Sequence, residues 1–176
     1  MQYILGIGTN VGNKIQNIKS VIKLLSNKKS INIIDTSSFY ISKPLLPTNF
    51  DKEHNKEFIN GAVLVEYLYT PESLYRLLWK IEKEMGREKN HKKWLPRIID
   101  LDILIAKDIV VDTVKLQIPH LEFLKRDFAL FPACDLAANW IHPVSKKSIA
   151  EHKQNIDKCF ITSVVEDFLC KKGHLV

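Results

Sequence analysis

The chain has few cysteines and lacks any long apolar run. Its three cysteines are odd in number, far apart and without a CxxC spacing, which argues against a disulfide framework and a zinc site. No stretch approaches the roughly 18–20 apolar residues of a membrane span, and the N-terminus lacks the cationic start of a signal peptide. We therefore expect reduced thiols in a cytoplasmic protein.

Two common nucleotide-binding signatures are also missing. The sequence contains no GxxxxGK[ST] motif and no complete GxGxxG motif, so it supports neither a P-loop nor a dinucleotide-binding fold. We also find no internal repeat, no low-complexity segment and no linker. The simplest interpretation is a single domain over residues 1–176, in which 145–176 form a C-terminal extension with a weaker pattern.

The composition favours a packed protein with an affinity for anions. Apolar residues make up 45% of the 176 residues and charged residues 26%, which is enough for a core. The net charge is +6 and the sequence pI is about 9.1. Nucleic acid, a nucleoside triphosphate and an anionic membrane would all suit such a surface.

Hydrophobic periodicity predicts two amphipathic helices, the second with Thr70 as its cap and Pro71 in its first turn. In chain order we predict a strand at 3–8, a helix at 13–27, strands at 31–42 and 58–69, a helix at 70–88 and a strand at 98–106. This βαββαβ order is typical of an α+β ferredoxin-like sandwich, with a mainly antiparallel sheet and helices on its faces.

The rest of the chain is predicted as loops and shorter elements. Two polar loops are expected, at 44–57 and 88–96. After the last strand we predict a hairpin at 107–116, a helix at 119–138 with a proline interruption, a helix around 148–155 and a further segment around 160–169.

Two aspartates stand inside an apolar strand. Asp100 and Asp102 are two residues apart, so both side chains project from one face of the strand. Neighbouring carboxylates repel each other unless cations lie between them, and Mg²⁺ favours such hard oxygen ligands together with phosphate. The alternative is a pair of aspartates at the end of an edge strand, each paired with a nearby Lys or Arg.

A basic and aromatic segment precedes the aspartates. Trp94 could stack on a base or cover a site, and Arg97 could bind phosphate through two parallel hydrogen bonds. Its cations are Arg87, Lys89, Lys92, Lys93 and Arg97. Mobile cations beside metal-binding acids are what phosphoryl transfer requires, although most charged runs are simply solvated loops.

Further polar and aromatic candidates lie elsewhere in the chain. His120 follows a proline where a helix is predicted, and such a histidine is more often a capping or surface residue. Phe58 and Phe128 are core aromatics by default. Asn60 lies within a predicted strand, and a buried amide there needs hydrogen-bond partners.

Several motifs together resemble one enzyme family, the 6-hydroxymethyl-7,8-dihydropterin pyrophosphokinases of folate biosynthesis. The resemblance covers residues 1 to about 143, and W-x-P-R-x-x-D-x-D-I followed by H-x5-R-x-F is its most specific part. The motifs are "GIGTNVGN" near the start, "SSFYISKPL" (37–45), "FINGAVLV" (58–65), "IEKEMGRE" (81–88), "WLPRIIDLDIL" (94–104), "PHLEFLKRDFALFP" (119–132) and "IHP" (141–143).

The resemblance implies a transferase that moves the β,γ-diphosphate of ATP to the pterin hydroxymethyl group and releases AMP. Asp100 and Asp102 are then the ligands of two Mg²⁺ ions, and Arg87 and Arg97 act on the phosphates. The implied ATP-binding residues are Glu82, Lys89, Arg97, Ile103, His120 and Arg126. The implied pterin-binding residues are Ser42, Leu45, Phe58, Asn60, Trp94 and Phe128. No general base is evident beyond Asp102.

The resemblance also implies small-molecule partners, with no nucleic acid and no membrane, and a monomer. The strongest alternative from another class is an RNA-binding module, because a ferredoxin-like sheet and a high pI suit one. The clustered aromatics of its RNP1 motif are absent, and the aspartates would repel RNA phosphates. A purely structural domain would leave Asp100, Asp102, Arg97 and Asn60 without a common purpose.

Overall fold

An antiparallel sheet forms the centre of the computed structural model, which describes residues 1–45, 56–87 and 96–166. Its strands are β1 (Gln2–Thr9), β2 (Ile31–Thr36), β3 (Tyr40–Ser42), β4 (Phe58–Tyr67), β5 (Asp100–Ala106) and β8 (Ile161–Val164). They lie in the order β5-β1-β4-β3-β8 across the sheet, and β2 also pairs with β4. Strands β1 to β5 give the predicted antiparallel α+β arrangement of a ferredoxin-like fold, which is thereby confirmed.

The two predicted amphipathic helices pack on one face of this sheet. The first, α1 (Lys14–Ser26), begins after Asn13, whose side chain accepts a hydrogen bond from the Gln16 N–H at 3.0 Å. The second, α2 (Pro71–Glu84), begins after Thr70, which caps it as predicted. The apolar faces of both helices, including Ile18 and Leu78, are buried against strand residues in one core.

A second apolar core covers part of the opposite face. It joins residues of the sheet, such as Ile4 and Leu104, to two further helices. These are α3 (Asp127–Ala137) and α4 (Ile149–Gln154). Strands β1, β4 and β5 therefore bury side chains on both faces, and the sheet is enclosed between two pairs of helices.

The segment predicted as one strand at 31–42 forms two strands. Ser37 interrupts it: its N–H donates to the Ala62 carbonyl at 2.9 Å, and its hydroxyl accepts from the Ala62 N–H at 2.8 Å. The hydroxyl thus takes a place that a strand carbonyl would occupy. The chain bends there, and β3 continues along the same edge of β4.

The helix predicted at 119–138 begins later than expected. A cis peptide bond joins Ile118 to Pro119, and a 3-10 turn over Phe123–Lys125 precedes α3. His120 therefore lies in a turn rather than at a helix start. The short hairpin also differs in position from the prediction, since β6 (Val111–Asp112) pairs with β7 (Gln117–Ile118).

The C-terminal extension contributes one helix and one strand to the fold. Helix α4 carries the capping box of Ser148 and Glu151, and β8 pairs with β3 at the end of the sheet. Most of the two predicted polar loops, 46–55 and 88–95, lies outside the described residues, as does 167–176. No helix in the described ranges is both long enough and apolar enough to cross a membrane.

Candidate active site

A cavity opens where β1 ends and where β4 and β5 begin, on the face of the sheet that also carries α3. It is lined by the two aspartates, by Arg97 and by residues from five parts of the chain. The lining residues that the sequence predicted are Ser42, Leu45, Phe58, Asn60, Arg97, Asp100, Asp102, His120, Arg126 and Phe128. The strand register explains the convergence, because Gly8 of β1 lies opposite both Asn60 of β4 and Asp100 of β5.

Asp100 is the centre of an ion-pair network. Its Oδ2 accepts from Arg97 at 2.6 Å, and its Oδ1 accepts from Arg87 at 2.6 Å. Asp102, two residues further along the strand, also lines the cavity, while Leu101 and Ile103 are buried in the opposite core. Burial and then the charge of Asp100 raise the pKa of Asp102.

Glu82 of α2 supports this ion-pair network. Its carboxylate accepts from the Leu101 N–H at 2.7 Å and also binds Arg87. Burial raises the pKa of Glu82 to about 7, although Arg87 and the Leu101 hydrogen bond act in the opposite direction. Arg87 is connected to the cavity through Asp100, and Glu82 through Arg87; neither is among the residues that line the cavity.

Asn10 fixes the main chain at Arg97. Its Oδ1 accepts from the Arg97 N–H at 2.7 Å, and its own N–H donates to the Arg97 carbonyl at 3.2 Å. The side chain of Asn17 adds a hydrogen bond to the Ile98 carbonyl at 3.2 Å. The segment just before the aspartates is therefore tied to the end of β1.

Two arginines in this cavity retain hydrogen-bonding capacity. The Nε atoms of Arg97 and Arg126 are buried and have no hydrogen-bond partner within residues 1–45, 56–87 and 96–166. A buried donor without an acceptor is costly, and a phosphate oxygen would satisfy it. The guanidinium of Arg126 also lies 5.9 Å from the centre of the Phe128 ring.

Asn60 is oriented by two neighbours. Its Nδ2 donates to the Ser42 hydroxyl at 2.8 Å, and both side chains are buried. Gly8 faces the amide on the other side, where a Cβ would lie 2.9 Å from Asn60 Oδ1. The absence of a side chain at Gly8 leaves room for this amide at the cavity wall.

A second cavity lies beside the first, along β5 and the β6–β7 hairpin. Asp102 and His120 line both cavities, and Ile103 and Leu116 line the second. His120 is held in its turn because its N–H donates to the Leu104 carbonyl at 2.8 Å. Exposed apolar side chains of Val114 and Leu121 form part of the rim.

Most of the predicted site residues thus surround two adjoining cavities. Trp94 and Lys89 lie outside the described residues. Sequence reasoning missed Asn10 and did not assign a role to Lys43. The sequence indicates Asn10 only by its position, since this polar residue directly follows an apolar strand that ends in "GIGT".

Sequence comparison with known proteins identifies one enzyme family. A sequence profile of the family described as 7,8-dihydro-6-hydroxymethylpterin-pyrophosphokinase (HPPK) matches residues 4–138. The 2-amino-4-hydroxy-6-hydroxymethyldihydropteridine pyrophosphokinase of Aquifex aeolicus is 38% identical over 149 residues, covering 85% of this chain and 88% of that protein. The folic acid synthesis protein fol1 of Schizosaccharomyces pombe is 33% identical, covering 84% of this chain and 19% of its own length.

A solved structure shares the fold. Wild-type HPPK-DHPS of Plasmodium falciparum superposes with a TM-score of 0.63 at 18% identity, covering 87% of this chain and 40% of that chain. This chain therefore spans less than half of that protein, but most of the Aquifex enzyme. The chain belongs to the 7,8-dihydro-6-hydroxymethylpterin-pyrophosphokinase family, the transferases that pass a diphosphate from ATP to the pterin in folate biosynthesis.

Proposed function

We propose that the first cavity binds 6-hydroxymethyl-7,8-dihydropterin and that the second binds ATP. In the reaction the hydroxymethyl oxygen forms a bond to the β-phosphorus. The bond from that phosphorus to the oxygen bridging the α-phosphorus breaks, and AMP leaves with that oxygen. The observation that carries this proposal is that Asp102 and His120 line both cavities, so the two substrates would meet at the paired aspartates.

The first cavity has the chemistry that a pterin needs. A flat heteroaromatic ring binds best between apolar rings with a few fixed hydrogen-bond partners. Phe58 and Phe128 would supply the rings, and the Asn60 amide, held by the Ser42 hydroxyl, would supply hydrogen bonds. Leu45 adds to the wall of the cavity.

The second cavity would hold the nucleotide. Ile103 lies on β5, the terminal strand of the described sheet, beside apolar side chains that suit a purine base. His120 and Arg126 would contact the phosphates. Arg97 would bind the transferred group through its Nε, which has no hydrogen-bond partner among the described residues. Arg87 and Lys89 would add positive charge, and Glu82 would keep Arg87 in place.

The aspartates fit a pair of Mg²⁺ ions. They present hard oxygen ligands beside guanidinium groups that match phosphate. Among residues 1–45, 56–87 and 96–166, no three His, Cys, Asp or Glu side chains converge on a metal site, so phosphate and water would complete each shell. When bound, Mg²⁺ would neutralise phosphate charge and orient the triphosphate.

The residues of this chain would then act mainly by positioning. Arg97 would hold the transferred group in line with the pterin hydroxyl, and Asn60 would fix the distance of that hydroxyl. Guanidinium groups aimed at developing charge stabilise the transition state without reorganisation. Asp102, whose pKa is raised by burial, is the candidate to accept the hydroxyl proton.

A turnover assay with substituted proteins tests this proposal. We expect the protein to form AMP from ATP only when both the pterin and Mg²⁺ are present, and EDTA to stop the reaction. Asp102→Asn should lower kcat by about a hundredfold or more, since it removes a charge at the reacting groups. Asp112→Asn, an aspartate of the hairpin that binds Gln117, is the matched control and should leave turnover unchanged.

Three results would contradict the proposal. ADP in place of AMP would move the attack to the γ-phosphorus. The absence of any nucleotide product from folded protein, together with RNA affinity that persists in EDTA and falls steeply with salt, would favour an RNA-binding module instead. Normal turnover by Asp102→Asn would show that the aspartates do not carry the chemistry.

The proposal includes the setting in which the enzyme works. Cys134 and Cys159 are free thiols, as the cysteine spacing predicted, and free thiols suit the reducing cytoplasm. We propose a cytoplasmic, single-domain monomer, as the family resemblance implies. Gel filtration at micromolar concentration would test the monomer.

A further inference from the structure

A completely buried carboxylate joins the start of α3 to the C-terminal extension. Asp127 is the first residue of α3 and has 0% of its surface exposed. Its Oδ1 accepts from the Phe128 N–H at 2.7 Å. Its Oδ2 accepts from the N–H groups of Phe160 at 2.5 Å and Ile161 at 2.8 Å.

This arrangement is specific rather than incidental. A buried carboxylate is costly unless hydrogen bonds compensate it, and Asp127 receives three from main-chain N–H groups. A negative charge is also favourable in the first turn of a helix. Since the three donors come from two distant parts of the chain, Asp127 sets their relative position.

The segment held by Asp127 contacts two walls of the first cavity. The Phe160 ring lies edge to face against the Phe128 ring, with centroids 6.0 Å apart at 76°. The Phe160 carbonyl accepts from the Lys43 N–H at 2.9 Å, and Ile161 pairs with Ser42 across β3 and β8. Phe128, Ser42 and Lys43 all line the cavity.

We propose that Asp127 and Phe160 are positioning residues for the pterin, and that residues 159–165 form an outer wall of its site. Neither side chain lines the cavity. Asp127 fixes the start of α3 and the Phe160 main chain, and the Phe160 ring then sets the angle of the Phe128 ring. This inference rests on the proposed role of the first cavity, and Phe160 lies beyond the family match at 4–138.

The edge-to-face contact gives the expected size of the effect. Aromatic pairs of this geometry contribute on the order of 0.5–1.5 kcal/mol, which is about a two- to tenfold change in affinity. If Phe160 orients Phe128, that change appears in pterin binding. A merely structural segment would lower stability and leave the affinity of the folded protein for pterin unchanged.

Calorimetric titration of the full chain with pterin, in the presence of Mg²⁺ and a non-hydrolysable ATP analogue, is the test. We expect Phe160→Leu and Asp127→Asn to raise the Kd for pterin by about three- to tenfold. The Kd for the ATP analogue should stay within about twofold, and Phe160→Tyr, which keeps the ring, should restore pterin binding.

Two matched controls share the same elements. Val164→Ala removes an apolar side chain from β8 that is 48% exposed. Asp135→Asn removes a charge from α3 where it accepts from the Tyr40 hydroxyl at 2.7 Å. Both variants should bind pterin like the wild type, because the Val164 side chain is about half exposed and Asp135 is paired with Tyr40.

Three outcomes would overturn the inference. Wild-type pterin affinity in folded Phe160→Leu would do so, and this variant decides alone if Asp127→Asn fails to fold. An equal loss of affinity for pterin and for the ATP analogue would show a general effect on the fold. Failure of the wild type itself to bind pterin would overturn the proposed function and this inference together.

Discussion

Single polar residues of the site are each held by a neighbour that is itself fixed in the sheet. Asn10 holds the main chain of Arg97, Ser42 holds the Asn60 amide, and Glu82 holds Arg87. Such support keeps donors and acceptors in place before the substrates arrive, which reduces reorganisation during reaction. The site therefore depends on residues that need never touch a substrate.

Gly8 is the smallest of these supports, and its replacement by alanine should weaken pterin binding. A Cβ at this position would lie 2.9 Å from Asn60 Oδ1, so the amide would have to rotate away. Loss of one well-placed hydrogen bond corresponds to about 0.5–1.5 kcal/mol, or about a two- to tenfold rise in the Kd for pterin. Fluorescence titration with 6-hydroxymethylpterin would measure it.

Gly12→Ala is the control for that variant, because Gly12 follows the same strand and is not among the residues that line the first cavity. No heavy atom of the described residues lies within 4 Å of the position of its Cβ. We expect a small loss of stability, from its φ of +66°, and an unchanged Kd for pterin. Equal affinities of the Gly8→Ala variant and the wild type would mean that the Asn60 amide does not bind the pterin.

At this scale the sequence predicts the charged residues of the site better than their supports. Asp100 and Asp102 are visible because carboxylates are rare inside an apolar strand, and Arg97 is visible because it is close to them in sequence. Asn10 and Gly8 act on residues 87 and 52 positions away. Contacts over such distances depend on strand register, which one sequence does not reveal.

Among the elements, the break between β2 and β3 shows how tertiary contacts override a local pattern. The residues from 31 to 42 are β-branched and aromatic enough for one strand. Ser37 replaces main-chain pairing with its hydroxyl, and the Phe39 ring is fully buried over Gly61 of β4. The break therefore depends on a space in another strand, and only the fold supplies it.

Gly61→Ala should consequently destabilise the protein. A Cβ on Gly61 would overlap the Phe39 ring, which is enclosed and cannot move freely. Overpacking of this kind costs about 1–3 kcal/mol, and we expect the upper part of that range. Urea unfolding followed by circular dichroism would measure the change in the free energy of unfolding.

Gly12→Ala provides the comparison for backbone conformation alone. Gly12 has a φ of +66°, and no heavy atom of the described residues lies within 4 Å of the position of its Cβ. The substitution should therefore lower the free energy of unfolding only through the backbone conformation, by about 1 kcal/mol. A Gly61→Ala variant as stable as Gly12→Ala would contradict the close packing of Phe39. The comparison separates lack of space from an unfavourable backbone angle.

In the whole molecule, one face of the sheet mainly stabilises the fold, and the other face carries the candidate site. One face carries α1, α2 and the larger core, and the other combines α3 and a smaller core with the candidate site. The alternation of Leu101 and Ile103 with Asp100 and Asp102 along β5 produces this division directly. The βαββαβ order was predictable for the same reason, since it follows from local periodicity.

The C-terminal extension was less predictable because its contacts are with distant elements. Helix α4 was predicted from its local pattern, and its capping box is visible in the sequence. Strand β8 pairs with β3, more than 110 positions earlier, and its four residues show no alternation of their own. Its place in the sheet depends on Asp127 and Phe160 rather than on propensity.

Two histidines, His142 just before this extension and His152 within it, should make the stability of the whole molecule sensitive to acid. His142, only 7% exposed, stacks on Phe123 of the second core, and the His152 ring lies 5.8 Å from it. Burial lowers the pKa of both histidines. The charge of His152 adds to the effect on His142, and Lys147 adds to the effect on His152, while Glu151 opposes it.

The sign of the effect follows from proton binding. Below the ordinary histidine pKa of 6.5, the unfolded chain binds more protons than the folded chain, so the free energy of unfolding falls as the pH drops. The double variant His142→Asn, His152→Gln keeps hydrogen-bonding atoms but does not titrate. Its Tm should fall less than that of the wild type between about pH 7.5 and pH 5.5.

Glu151→Gln controls for the neighbouring carboxylate in the same thermal unfolding experiment. Hydrogen bonds from Ser148 lower the pKa of Glu151 below its ordinary 4.5, so its contribution is lost only in more acidic solution. Since Glu151 also raises the pKa of His152, the Tm of the control should fall at least as much as that of the wild type down to about pH 5.5. If the double variant does so too, the acid sensitivity of the fold comes from groups other than this histidine pair.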